Sequence, residues 1–130
     1  MENRAIANEW FNIAKIDLDS AMYLCDMRPL PKEIICYHCQ QSAEKMLKGY
    51  IALNGGEMIK THDLIILNKL CVTFDKSFNE LMDICIDLVD YGVNIRYPYH
   101  IELSDEDVKL AITNAEKLMN FINNAISNDN

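Results

Sequence analysis

Apolar residues recur every three to four positions along nearly the whole chain, and no run alternates long enough to make a strand. The spacing predicts five helices. The first covers about residues 3–27, with Ile6, Trp10, Ala14, Leu18, Ala21 and Cys25 as its inward stripe. Pro29 and Pro31 end it, because proline brings no backbone donor to a helix. The second covers about residues 32–53 and stops at Asn54-Gly55-Gly56, a C-cap signal. A shorter third helix opens at Lys60-Thr61-His62-Asp63-Leu64, with Thr61 as its expected N-cap. The fourth covers about residues 77–90, with Phe78, Leu81, Met82, Cys85, Ile86 and Val89 inward. The fifth is capped by Ser104, and its first turn carries Asp105, Glu106 and Asp107, which suits the helix dipole. Its inward stripe is Val108, Ile112, Ala115, Met119, Ile122 and Ile126. The fold class is all-α.

On a wheel of about 100° per residue, the second helix divides sharply. Cys36, Cys39, Ala43, Met46, Leu47 and Tyr50 share one side; His38, Gln41, Lys45 and Lys48, spaced 3-4-3, share the other. That polar stripe is either a solvated face or a face turned to a ligand or partner. Asp17 falls inside the apolar stripe of the first helix. A carboxylate there must be paired or hydrogen-bonded, with Lys45 or Arg96 as the available cation. Structural pairing is the reading for Asp17, rather than general-base chemistry.

Composition narrows the possibilities. The 130 residues are expected to form one domain. No apolar run reaches the ~20 residues of a membrane span, and the first ten residues show no leader pattern, so a cytoplasmic protein is expected. Five cysteines (25, 36, 39, 71 and 85) all sit within apolar helical patterns, as buried thiols in a reducing compartment would. The Cys36-x-x-Cys39 pair lacks the second pair that a structural zinc site needs. Core cysteines, no metal and no cofactor are therefore expected. The net charge of −8 argues against a general nucleic-acid binder. The acid is uneven: residues 1–65 carry 7 basic and 9 acidic groups, whereas residues 66–130 carry 5 and 11. An anionic ligand is better met by the first half plus Arg96.

Between the fourth and fifth helices, Arg96-Tyr97-Pro98-Tyr99-His100 crowds polar and aromatic groups into one break. Trp10 with residues 14–21, residues 36–51, residues 60–64 and residues 96–98 together resemble the HEPN family in order and spacing, over roughly residues 5–122. The most specific part is the H-x-Q-Q-x-x-E-K-x-L-K run from His38 to Lys48. The resemblance implies an up-and-down bundle of four long helices plus one short helix, usually a homodimer. It also implies a toxin–antitoxin or nucleotide-related role, often beside a minimal nucleotidyltransferase, and in many members metal-independent RNA cleavage.

In the family that cleavage goes with an Arg followed, four to six residues on, by a His. The Arg stabilises developing phosphate charge and the His moves the proton. Here only three residues separate Arg96 from His100, and Pro98 lies among them. Proline pushes Tyr97 to extended geometry, so the pair cannot occupy adjacent turns of one helix. Two readings follow. In the preferred one, the chain is a dimeric module that binds a nucleotide, RNA or the nucleotidyltransferase partner through His38, Gln41, Lys45, Lys48, Arg96 and Tyr97. The alternative is a metal-independent RNase toxin with Arg96 and His100 catalytic.

Overall fold

The computed structural model describes residues 2–92 and 102–128. Its elements are α1 (Glu2–Leu24), α2 (Lys32–Leu53), α3 (Leu64–Phe74), a 3-10 segment (Lys76–Leu81), α4 (Met82–Val89) and α5 (Asp105–Asn128). The all-α expectation holds. Three helices are long and α3 is short, but the expected long fourth helix is divided. Its first turns are wound as 3-10, with Asp75 accepting from the Ser77 amide at 2.9 Å, before α4 begins.

α2 is the central element and packs against α1, α3, α4 and α5. α1 and α2 run antiparallel, since Asp17 meets Lys45 and His38, Ala14 meets Ser42 and Phe11 meets Gly49. The approach is close because the contact face is small. Ala7, Ala14 and Ala21, one heptad apart on α1, are fully buried. Ser42 Oγ donates to the Ala14 carbonyl at 2.8 Å, which satisfies a buried hydroxyl. The main core lies on the other sides of α2. There Tyr50 stacks on Phe78 at 4.4 Å and Phe121 meets Phe78 edge-on at 5.2 Å.

Several sequence expectations need correction. Ile6 is exposed, and Ala7 takes the inward place. On α4, Ile86 is exposed and Leu88 is buried, because Phe78, Leu81, Cys85 and Leu88 continue one inward stripe and Ile86 lies about 100° away from it. α3 is capped by Asp63, whose Oδ1 accepts from the Ile65 amide at 2.9 Å; Thr61 Oγ1 instead accepts from the Asp63 amide. The remaining landmarks fall where expected. Gly55 ends α2 at φ +71°, and Ser104 with Asp107 forms a reciprocal capping box on α5.

Cys36 and Cys39 point into the core, as the wheel places them. Burial pushes the Cys36 thiol up to about 12, with Asp107 and Glu33 adding to it. Burial does the same for Cys85, also to about 12, and raises Cys39 and Cys71. Tyr91 is likewise pushed up to about 12, first by burial and then by Cys36 and nearby aspartates.

Two outcomes follow from this packing. A Cβ at Gly49 would lie 2.3 Å from the Phe11 ring. Overpacking costs about 1–3 kcal/mol, more than the ~1 kcal/mol that alanine gains in helix propensity. Gly49→Ala should therefore lower the denaturation midpoint, and Phe11→Leu in the same chain should recover part of the loss. An unchanged midpoint would show that the ring gives way freely. The thiols set an alkaline limit. Unfolded cysteines lose their protons near pH ~8.5, while the folded chain holds those of Cys36 and Cys85 to about 12. The folded state binds more protons across that window, so stability is complete below it and is lost as pH rises through it. Urea midpoints should fall steadily above pH ~9, and a flat profile would contradict the buried thiols.

Candidate functional site

The polar stripe of α2 does not face open solvent. It lies in the seam against α1 and against the segment that leads into α3, and its groups are held in two clusters.

The first centres on Asp17. Lys45 Nζ donates to Asp17 Oδ2 at 2.6 Å, and His38 Nδ1 meets Asp17 Oδ1 at 3.1 Å. The Asp17 and Lys45 side chains are 13% and 19% exposed, so water screens the pair little. Of the two cations the sequence offered, the structure shows Lys45 on Asp17, with His38 as a second partner.

The second cluster centres on Glu44, whose side chain is only 4% exposed. Lys48 Nζ donates to its Oε2 at 3.0 Å from one turn along the helix. Gln40 Nε2 donates to its Oε1 at 3.3 Å and to the His62 carbonyl at 3.1 Å. His62 Nδ1 contacts both carboxylate oxygens, at 3.0 and 3.2 Å. Gln41 joins from outside, donating to Gln40 Oε1 at 2.7 Å. Lys48 also lies 5.5 Å from the Trp10 ring centroid, a cation–π contact that reaches back to α1.

A carboxylate only accepts hydrogen bonds, so Nδ1 carries the proton in both imidazole contacts. Each imidazole thus has one nitrogen fixed by a carboxylate, and Nε2 makes no further hydrogen bond among the described residues. The His62 side chain is 66% exposed and that of His38 is 28%. A carboxylate-oriented imidazole with a free Nε2 can donate to an anion when protonated and accept a proton when neutral. Among the described residues no group of three or more His, Cys, Asp or Glu is placed to hold a metal ion.

The structure therefore brings His38, Gln41, Lys45 and Lys48 into one seam with Asp17. Arg96, Tyr97 and His100 lie outside the described residues. Gly92 lies against the Gln40 side chain, so the described chain ahead of that segment ends beside the Glu44 cluster. Sequence reasoning missed Gln40, Glu44 and His62. The order Glu44-x-x-x-Lys48 was the available signal, an i,i+4 pair in its favourable direction.

Removing one partner from a pair that is little exposed strands the other. Asp17→Ala should cost about 1–3 kcal/mol. Glu44→Ala should cost more, about 3–5 kcal/mol, because Lys48 is more deeply buried than Lys45. Replacing both Glu44 and Lys48 by apolar residues of like size should recover most of the second loss. Chemical denaturation checks the order; equal or negligible costs would show that the clusters carry no strain of burial.

Comparison with known proteins agrees with this architecture. The HEPN domain family matches residues 7–125. The crystal structure of an archaeal HEPN homologue superposes with a TM-score of 0.72 at 23% identity, covering 92% of this chain and 97% of that one. No curated protein sequence matches. With nearly its full length matched by the family and its helices superposing on those of that homologue, the chain belongs to the HEPN domain family.

Proposed function

We propose that the protein is a dimeric HEPN module that binds an anionic ligand, a nucleotide or an RNA end, as one half of a toxin–antitoxin-like pair with a minimal nucleotidyltransferase. The observation that supports this most is the α1–α2 seam. Its lysines are committed to buried carboxylates, and what it offers outward is two oriented imidazoles, His38 on Asp17 and His62 on Glu44, with Gln41 bonded to Gln40 of the second cluster. Groups fixed in this way suit recognition, because little side-chain freedom is lost when a ligand arrives. Arg96 and Tyr97, which follow Gly92 in the sequence, are proposed to contact the same ligand.

The alternative is metal-independent RNA cleavage by Arg96 and His100. It is favoured by the presence of both residue types in one break, and disfavoured by three intervening residues that include Pro98.

Fluorescence anisotropy with a short single-stranded RNA and with adenosine nucleotides tests the binding reading. Arg96→Lys keeps the charge but loses the planar fork that grips phosphate, so affinity should fall about tenfold or more. Absence of binding by the wild-type chain would contradict the reading. The same RNA should be cleaved slowly or not at all. Robust cleavage, abolished by Arg96→Lys or lowered ~10²-fold by His100→Ala, would establish the RNase alternative instead.

A further inference from the structure

α1 has two apolar faces, and the bundle uses one. Ala7, Ala14, Leu18 and Ala21 are buried, while Ile6, Ile13, Ile16 and Tyr23 are exposed on the outer side, followed by exposed Met27 just beyond the helix end. With Glu9 and Ser20 between them, positions 6, 9, 13, 16, 20, 23 and 27 advance alternately by three and four. That is the a/d seam of a helix that pairs side by side with another. Shallow grooves flank it at both ends. One, of about 440 Å³, lies at Ile16, Asp19, Ser20 and Tyr23. Another, of about 350 Å³, is lined by Ile6, Trp10, Ala52, Gly55, Gly56 and Met58.

We propose that this seam pairs with the same seam of a second copy of the chain, with the two α1 helices antiparallel. The inference rests on the dimer reading above and adds to it the surface and the register. A two-fold axis between Ala14 and Lys15 sets Ile13 of each copy against Ile16 of the other, and Ile6 against Tyr23. Tyr23 is the most exposed large hydrophobic among the described residues, at 83%. The rotation carries its ring onto the open groove at Ile6, Trp10 and Met58. Glu9, the one charged residue in the seam, falls opposite Ser20, whose hydroxyl can donate to it. A parallel arrangement would instead stack Glu9 on Glu9, a like-charge contact that disfavours it.

The area suffices. Ile6, Ile13, Ile16 and Tyr23, with Met58 in the groove that receives Tyr23, are 44%, 45%, 63%, 83% and 38% exposed. Large side chains present roughly 200 Å² each, so together they expose on the order of 550 Å² per copy. Covering them on both copies removes about 1,100 Å², which reaches the ~1,000 Å² expected of a specific interface.

Sedimentation equilibrium of the full chain at micromolar concentrations tests the proposal, with circular dichroism to confirm that each variant is folded. The wild type should be a dimer. Ile16→Asp and Tyr23→Asp should each weaken it by about tenfold or more, while Ile86→Asp, on the exposed side of α4, should leave it intact. Ser20→Asp should weaken the dimer by setting a second carboxylate against Glu9, and adding Glu9→Lys should restore it. A dimer that survives both Ile16→Asp and Tyr23→Asp would overturn the seam and leave the dimer reading standing. A wild-type monomer would overturn both. Failure of Glu9→Lys to rescue Ser20→Asp would overturn the antiparallel register.

Discussion

Glu44 is the constraint on which this bundle turns. It is a carboxylate at the middle of the helix that packs against the other four, and its side chain is nearly shut off from water. An ionised group in that position is tolerated only when its lone pairs are filled. Lys48 fills one from the next turn, Gln40 another from the turn before, and His62 reaches in from outside the helix. That last contact does most to shape the fold. It ties the connection after α2 back onto α2 itself, and Gln40 secures it again through the His62 carbonyl. Asp63 follows directly and caps α3, so the start of the third helix is set one residue from the buried carboxylate.

The same logic fixes α1. Alanines a heptad apart let its backbone come close to α2, and Gly49 leaves room for the Phe11 ring. Close approach puts Asp17 within reach of Lys45 and His38, and Trp10 within reach of Lys48. Small residues on the inner face thus make the polar seam possible, while Ile6, Ile13, Ile16 and Tyr23 are left outside. One helix then serves two purposes, as a wall of the candidate site and as a surface still without a partner.

Much of this was legible in the sequence. Periodicity located the helices, and the wheel of α2 separated the core cysteines from the polar stripe. The position of Asp17 in an apolar stripe required a partner. What escaped detection shares one physical cause. A wheel divides a helix into an inside and an outside, and α2 is buried around most of its circumference over residues 39–52. Gln40 and Glu44 therefore looked like unremarkable polar residues, although both are buried. His62 escaped because its role depends on the path of the connection between helices, which periodicity does not describe. The 3-10 winding before α4 was hidden for a similar reason: residues 76–81 have helical spacing, but the turn closed by Asp75 tightens it. The family resemblance rested chiefly on the His38–Lys48 run, which holds most of the residues that build both carboxylate clusters.

The central claim is that two carboxylates orient two imidazoles through Nδ1. Long-range nitrogen–proton correlation spectra of His38 and His62, recorded where both rings are neutral, test it most directly. Both rings should carry their proton on Nδ1, with Nε2 bare. A neutral ring protonated on Nε2 would leave a bare Nδ1 facing Asp17 or Glu44, and would contradict the arrangement from which the candidate site is built.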